Sequence, residues 1–206
     1  MTSAQRLDQA RTLATIVREM AKEIILPRYL RAVREHKADG SVLTEADLAS
    51  QAALVERLPQ LINAPVLGEE MTAEEQGRVW HAGVHGLWVI DPIDGTTNFA
   101  NGIPFFGVAV AYLVNHKTQI GVVYNPVTDE AFYAARGAGD FIRGERIGKP
   151  PRQQWIGSVE IGNALQGVAL QVRHPARRRQ TLPPPCLRNR GSAPSPVPWR
   201  RGSGWR

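Results

Sequence analysis

The sequence has few of the residues that build disulfide scaffolds or membrane spans. Cys186 is the one cysteine among 206 residues, so no disulfide can form within the chain, which is typical of a reducing cytoplasm. No apolar run approaches the ~20 residues that cross a bilayer. The N-terminus is polar and its apolar residues are periodic, so we expect no signal peptide. We therefore predict a cytoplasmic protein without a membrane partner.

Acidic residues and lysines are nearly absent from the last quarter of the chain. Residues 1–149 carry 15 lysines and arginines against 18 aspartates and glutamates, whereas residues 150–206 carry ten arginines, no lysine and the single acid Glu160. This tail also holds nine of the 15 prolines. Beyond about Leu170 it has no helical or strand periodicity, so we expect disorder there. We predict two regions, an ordered one at 1–149 and an Arg/Pro-rich tail at 150–206.

Three interpretations of the tail compete. It can be a basic arm that binds RNA or another acidic surface through phosphate contacts. It can also be an inert extension, or an out-of-frame translation of GC-rich DNA. The excess of arginine over lysine, together with the many prolines, favours the third interpretation, so RNA is not our expected partner.

The most informative segment begins where a short apolar strand ends. Residues 87–90 are uncharged and β-rich, which indicates a buried strand, and Asp91 follows it directly. Pro92 restricts the backbone on both sides, so we expect a turn that brings Asp94 towards Asp91. Two carboxylates and the intervening carbonyl of Ile93 are oxygen ligands of the kind that Mg²⁺ prefers.

The residues after Asp94 are suited to binding an anion. Gly95 tolerates backbone angles that other residues resist, and Thr96 offers a hydroxyl and an N–H group where a helix can begin. The alternative is an ordinary strand end followed by an Asx-type turn. A second acidic pair, Glu69 and Glu70, follows Gly68 after another short apolar segment. Its alternative is a solvated acidic loop.

A capping-box pattern marks the start of a helix further upstream. Thr44 is followed three residues later by Asp47. Apolar residues then recur at helical spacing and predict the buried stripe of this helix: Leu48, Ala52, Val55 and Leu58. Asp47 can cap the helix and also accept a hydrogen bond from a catalytic hydroxyl.

The rest of the first region predicts an α+β fold. A long amphipathic helix is expected from Gln5 to about Leu30. Four strands are expected at residues 104–114, 119–125, 130–135 and 140–143, which gives two helices against an antiparallel meander. Three histidines lack ligand spacing and are interpreted as loop residues: His81, His85 and His116.

Three motifs together resemble the inositol monophosphatase family of metal-dependent, lithium-sensitive phosphatases. They are K-x-D-G-S-x-x-T-E-A-D at residues 37–47, G-E-E at 68–70 and W-V-I-D-P-I-D-G-T-T-N-F at 88–99. The resemblance covers roughly residues 5 to 149. It implies the layered α/β sandwich of that family, present as its N-terminal lobe, with the C-terminal lobe missing or replaced.

The resemblance also implies roles for individual residues. The metal ligands would be Glu69, Asp91, the Ile93 carbonyl and Asp94. Glu70 would support this set from outside it. Thr96, hydrogen-bonded to Asp47, would orient and help deprotonate the attacking water, and the amides of Gly95 and Thr96 would hold the phosphate. The implied reaction is hydrolysis of a phosphomonoester with two or three Mg²⁺ ions.

One part of the family pattern is missing from this sequence. The family takes a further metal-ligating aspartate from a W-D-x-A-A segment in its C-terminal half, whereas no aspartate follows Asp140 here. We therefore expect an incomplete metal site, impaired activity and an exposed apolar face where the other lobe would pack. A small phosphorylated polyol is the implied substrate, and a homodimer is the implied assembly.

Two alternatives for the function stay open. The first is another phosphatase of the same superfamily, acting on histidinol phosphate, a nucleotide 3′-phosphate or fructose 1,6-bisphosphate. The second is a non-catalytic binding protein that uses the basic tail on RNA.

Overall fold

The computed structural model describes residues 1–31, 34–36, 42–146, 158–164 and 167–173. Residues 37–41, at the start of the first motif, lie outside this part of the chain, as does the tail beyond residue 173. The helices are α1 (Ser3–Met20), continued by a π-helical turn (Ala21–Ile25), α2 (Glu45–Leu61), α3 (Ala73–Ala82), continued by a 3-10 turn (Gly83–His85), and α4 (Thr96–Ala100). The strands are β1 (Arg34–His36), β2 (Val42–Thr44), β3 (Val66–Gly68), β4 (Leu87–Asp94), β5 (Gly107–Val114), β6 (Lys117–Asn125), β7 (Glu130–Ala135), β8 (Gly139–Ile142), β9 (Glu145–Arg146), β10 (Ser158–Ala164) and β11 (Gly167–Arg173).

Seven strands form the main sheet, in the order β3-β4-β5-β6-β7-β8-β9. The meander from β4 to β9 is antiparallel, as predicted, but β3 pairs with β4 in parallel. The predicted meander is therefore confirmed, and β3 adds a parallel strand at its edge. Two antiparallel pairs stand apart from the sheet, β1 with β2 and β10 with β11. The second pair lies within the predicted tail, mostly before the stretch beyond Leu170 for which we expected disorder.

Helices α1 and α2 cover one face of the sheet. Helix α1 begins at Thr2, whose side chain caps it together with Gln5. Its buried residues recur at the predicted spacing: Ala10, Leu13, Ala14, Val17 and Met20. On the sheet side, the core includes the largest buried side chains, Trp88 and Tyr124. Every helix within the described ranges is too short or too polar to cross a membrane.

The buried side of α2 differs from the predicted one. Leu48 and Val55 are 49% and 39% exposed, whereas Leu54 and Leu58 are fully buried. The sequence contains two overlapping apolar stripes on this helix, and packing against β4 selects the one that also carries Asp47. The prediction was wrong because local spacing cannot say which stripe faces the sheet.

The other face of the sheet carries a second, smaller core. Its buried residues are Leu67, Leu87, Val89, Ala109, Ala111 and Leu113. Val79 and Trp80 of α3 pack against them, so the exposed apolar face that we expected is not found at these positions. Helix α3 was not predicted, although Thr72 and Glu75 form a capping box at its start.

Two of the histidine assignments also change. His81 lies in α3 and His85 lies in the 3-10 turn, so neither is a loop residue. His116 does lie in the turn between β5 and β6, where its ring stacks on Trp80 with 4.1 Å between centroids.

Candidate metal and phosphate site

The two aspartates of the main motif are brought together by a bulge in β4. Asp91 pairs with Ala109 and Asp94 pairs with Gly107, so β4 holds one more residue than β5 over this interval. The extra residue lies next to Pro92, which has no N–H group for the sheet. The predicted turn after Asp91 is therefore a bulge within a continuous strand. It places Asp91, Ile93 and Asp94 at one end of β4.

Asp91 is a buried carboxylate with an unsatisfied oxygen. Its exposure is 6%, and its Oδ1 atom has no hydrogen-bond partner within the described part of the chain. Burial raises the pKa of Asp91 to about 9, and the charges of Glu69 and Asp94 act in the same direction. A buried oxygen without a partner costs stability. This arrangement calls for a compensating positive charge.

Glu69 lies near Asp91 because β3 is parallel to β4. Its backbone N–H donates to the Ile90 carbonyl across 3.2 Å, which continues the ladder one residue past β3. The carboxylate of Glu69 is close enough to Asp91 to raise the pKa of that residue through charge and through a hydrogen bond. Glu70 is next in the chain and half-buried. Its N–H group donates to Gln51 Oε1 at 3.0 Å.

Asp47 and Thr96 meet, as the family resemblance implied. Asp47 is buried at the start of α2, where its Oδ2 atom accepts from both the N–H and the hydroxyl of Thr44. Its Oδ1 atom lies 3.2 Å from Thr96 Oγ1, which is also 3.0 Å from the Ile93 carbonyl. A hydroxyl has one proton to donate, so Thr96 donates to either Asp47 or the Ile93 carbonyl at any one time. Burial raises the pKa of Asp47, against the lowering effect of its bonds to Thr44 and Thr96.

The turn that follows β4 depends on glycine. Gly95 has φ +93°, in the left-handed region, and a Cβ atom there would lie 3.2 Å from the Phe105 carbonyl oxygen. Another residue would be strained in its backbone and crowded by its neighbour. Gly95 leads directly into α4, whose first residue is Thr96. The N–H groups of Gly95 and Thr96 therefore stand at the start of a helical turn beside the carboxylates.

The residues suit a hard divalent cation in donor type and in charge. Carboxylate and carbonyl oxygens gather at the end of β4, and the buried Oδ1 of Asp91 lacks a partner. Within the described residues, however, no three acidic, histidine or cysteine side chains stand close enough to enclose an ion. Binding a cation here therefore requires the carboxylates to draw together.

Sequence reasoning missed two glutamines that hold the glutamate turn. Gln51 accepts from the Glu70 N–H group, and Gln76 Nε2 donates to the carbonyls of Gly68 and Glu69. These partners are 7 to 19 residues apart in the chain. The one available signal was the capping box of α3, which would have placed Gln76 on a helix next to β3.

Residues 4–193 match the model of the inositol monophosphatase family. Inositol monophosphatase 2 of Solanum lycopersicum is 39% identical over 132 residues, which cover 62% of this chain and 49% of the relative. Nus factor SuhB of Pasteurella multocida is 33% identical over 147 residues, which cover 71% of this chain and 50% of the relative. A solved inositol monophosphatase from Thermotoga maritima aligns with a TM-score of 0.62 and 29% identity, covering 73% of this chain and 57% of that one.

The comparisons also show how much of its relatives' length this chain covers. The chain spans about half the length of the relatives it matches. The family match runs to residue 193, beyond the boundary near residue 149 that the motifs suggested. Most of the basic tail, residues 150–193, is therefore included in the match.

Proposed function

Because the chain belongs to the inositol monophosphatase family, we propose that it carries the metal- and phosphate-binding half of a Mg²⁺-dependent phosphomonoesterase. The proposed substrate is inositol monophosphate or a related polyol phosphate. The observation that supports this most strongly is the buried, partly unsatisfied Asp91 among other carboxylates. Such a cluster destabilises the protein unless a cation neutralises it.

In this proposal the ligands are Glu69, Asp91, the Ile93 carbonyl and Asp94. A divalent cation bound there would polarise the phosphate ester and increase the acidity of the attacking water. Glu70 supports the ligand set from outside it, through the turn that it shares with Glu69.

Thr96 and Asp47 orient the attacking water. When the Ile93 carbonyl is engaged elsewhere, the Thr96 hydroxyl donates to Asp47, and its oxygen lone pairs can then accept from water. Asp47 is fixed for this role, because both of its oxygens have partners on two different elements. The amides of Gly95 and Thr96 would hold the phosphate oxygens, since N–H groups at the start of a helical turn favour anions.

We propose that residues 1–206 alone have weak activity. The motif that supplies a further ligating aspartate is not present after Asp140, so the ligand set is smaller than the resemblance implies. The cytoplasmic location and the homodimer belong to the same proposal, and light scattering of the purified chain tests the homodimer.

The test combines cation binding with phosphate release. Binding of Mn²⁺ by the chain is measured by electron paramagnetic resonance, and phosphate release from inositol 1-phosphate is measured with Mg²⁺. We expect Mn²⁺ binding in the wild type and its loss in Asp91→Asn. Asp8→Asn, an exposed change on α1 outside the site, is the matched control. Equal Mn²⁺ binding by wild type and Asp91→Asn would contradict the proposal.

The same assay separates the alternative substrates. Histidinol phosphate, a nucleotide 3′-phosphate and fructose 1,6-bisphosphate are compared with inositol 1-phosphate at equal concentration. A preference for one of these would replace the proposed substrate but keep the proposed reaction.

A further inference from the structure

The turn from Gly68 to Glu70 is held by side chains from two helices on different sides of it. Gln51 on α2 accepts from the Glu70 N–H group at 3.0 Å. Gln76 on α3 donates through Nε2 to the carbonyls of Gly68 and Glu69, at 3.0 and 3.1 Å. The turn therefore has three backbone polar groups fixed by side-chain amides.

Gly68 makes room for one of these amides. A Cβ atom at Gly68 would lie 2.1 Å from Gln51 Oε1, closer than any side chain tolerates. Gly68 lies at the end of β3 and has no left-handed backbone angle. Its lack of a side chain is therefore explained by the space that Gln51 occupies.

These contacts converge on the backbone that carries Glu69. On one side the Glu69 N–H group bonds to Ile90 of β4, and on the other its carbonyl accepts from Gln76. The Glu69 side chain itself is exposed at the edge of the site. The side chain shares a hydrogen bond with Asp91, and its position also depends on how firmly the backbone beneath it is held.

We propose that Gln51 and Gln76 are positioning residues that orient Glu69 towards the cation site at the end of β4. This rests on the proposed function, which makes Glu69 a metal ligand. Outer groups that orient ligands typically contribute 10- to 100-fold to metal affinity. Neither glutamine is among the proposed ligands of the cation.

Mn²⁺ affinity of the full chain, measured by electron paramagnetic resonance, tests the positioning role. Gln51→Met and Gln76→Met keep the approximate shape and remove the hydrogen bonds. We expect each to weaken Mn²⁺ binding about tenfold or more. Gln51→Glu retains an acceptor oxygen for the Glu70 N–H group, so its affinity should stay within about threefold of the wild type. Gln60→Met is the matched control on α2, because Gln60 is exposed and its side chain donates to the Glu56 carbonyl.

A second route to the same contact is Gly68→Ala. The added methyl group displaces the end of the flexible Gln51 side chain, so the fold should survive while the bond to Glu70 is lost. Gly68→Ala should therefore weaken Mn²⁺ binding in the wild type but add little in the Gln51→Met background. Non-additivity of this kind identifies residues that act through one contact.

The outcomes separate this inference from the proposed function. If the wild type binds no Mn²⁺, the proposed function fails and the glutamines lose their proposed role with it. If the wild type binds Mn²⁺ and the methionine variants bind as tightly as Gln60→Met, the positioning role alone is overturned. Urea unfolding of each variant shows whether the fold is kept. If Gln76→Met unfolds, the Mn²⁺ affinities of the Gln51 variants and of the Gly68→Ala and Gln51→Met combination test the positioning role.

Discussion

Along strand β4, residues 87–90 and residues 91–94 are similarly deep in the protein but differ in how their polar groups are satisfied. The first half packs apolar side chains into both cores, and Trp88 Nε1, its one polar side-chain atom, donates to the Ile62 carbonyl at 3.0 Å. The second half leaves Asp91 Oδ1 without a partner among the described residues and surrounds it with acids. One half of the strand stabilises the fold, and the other half carries the carboxylates of the proposed cation site.

The largest effect on the free energy of unfolding should come from removing a large side chain from residues 87–90. Trp88 is fully buried, and its ring lies 5.0 Å from that of Tyr112. Trp88→Ala should reduce the free energy of unfolding by about 3–5 kcal/mol, because it creates a cavity and leaves the Ile62 carbonyl unpaired. Urea denaturation measures this loss. Trp80→Ala, on the half-buried ring of α3, is the control and should cost less. Equal losses in the two variants would mean that β4 does not anchor the core.

A substitution in residues 91–94 should have an intermediate effect on the free energy of unfolding, of the opposite sign. Asp91→Asn removes a buried acid, so without added cation it should raise the free energy of unfolding at pH 8 by about 1–2 kcal/mol. The same variant should lose any stabilisation by Mg²⁺. Urea denaturation with and without Mg²⁺ measures both changes. A variant that is less stable than the wild type without Mg²⁺ would show that Asp91 contributes to folding as Trp88 does.

The smallest effect concerns a carboxylate that is well satisfied. Asp129 accepts from the Tyr124 hydroxyl and from Arg18 Nε, both at 2.8 Å, and these contacts lower its pKa. Asp129 therefore stabilises the fold above the ordinary aspartate pKa of about 4, and this contribution is lost as the pH falls through its lowered value. Because the side chain is 53% exposed, Asp129→Asn should cost less than about 1 kcal/mol at pH 7.

The check for Asp129 is a comparison of urea denaturation at pH 7 and pH 3. The difference in the free energy of unfolding between the wild type and Asp129→Asn should be larger at pH 7 than at pH 3. Asparagine tolerates the left-handed backbone angle at this position, φ 52°, so the change tests the charge and not the turn. A difference that is as large at pH 3 as at pH 7 would mean that the charge of Asp129 is not the cause.

Much of the site could be predicted because its parts are local in sequence. Asp91, Ile93 and Asp94 lie within four residues, and the capping box of Thr44 and Asp47 identifies a helix start. The meeting of Asp47 with Thr96, 49 residues apart, came from the family resemblance and is confirmed by a hydrogen bond. The buried face of α2 could not be predicted, since Leu48 and Leu54 belong to stripes of similar strength and only packing against the sheet separates them.

The roles of Gln51 and Gln76 were also beyond local reasoning. Glutamine on a helix is ordinarily a solvent-exposed residue, and nothing near either position signals a partner. Their function depends on the parallel pairing of β3 with β4, which brings the Glu69 turn between α2 and α3. That pairing is a tertiary feature, and local sequence reasoning predicted the antiparallel meander without placing β3 beside it.

The central claim, that the end of β4 is a cation site, is tested most directly by the pH dependence of unfolding with and without Mg²⁺. In the folded chain the pKa of Asp91 is raised to about 9, while in the unfolded chain it is about 4. Without the cation, stability should therefore fall as the pH rises from about 4 to about 9. With saturating Mg²⁺, Asp91 is ionised in the folded state, so the fall should vanish and the stabilisation by Mg²⁺ should grow with pH. If the free energy of unfolding depends on pH in the same way with and without Mg²⁺, the claim is contradicted.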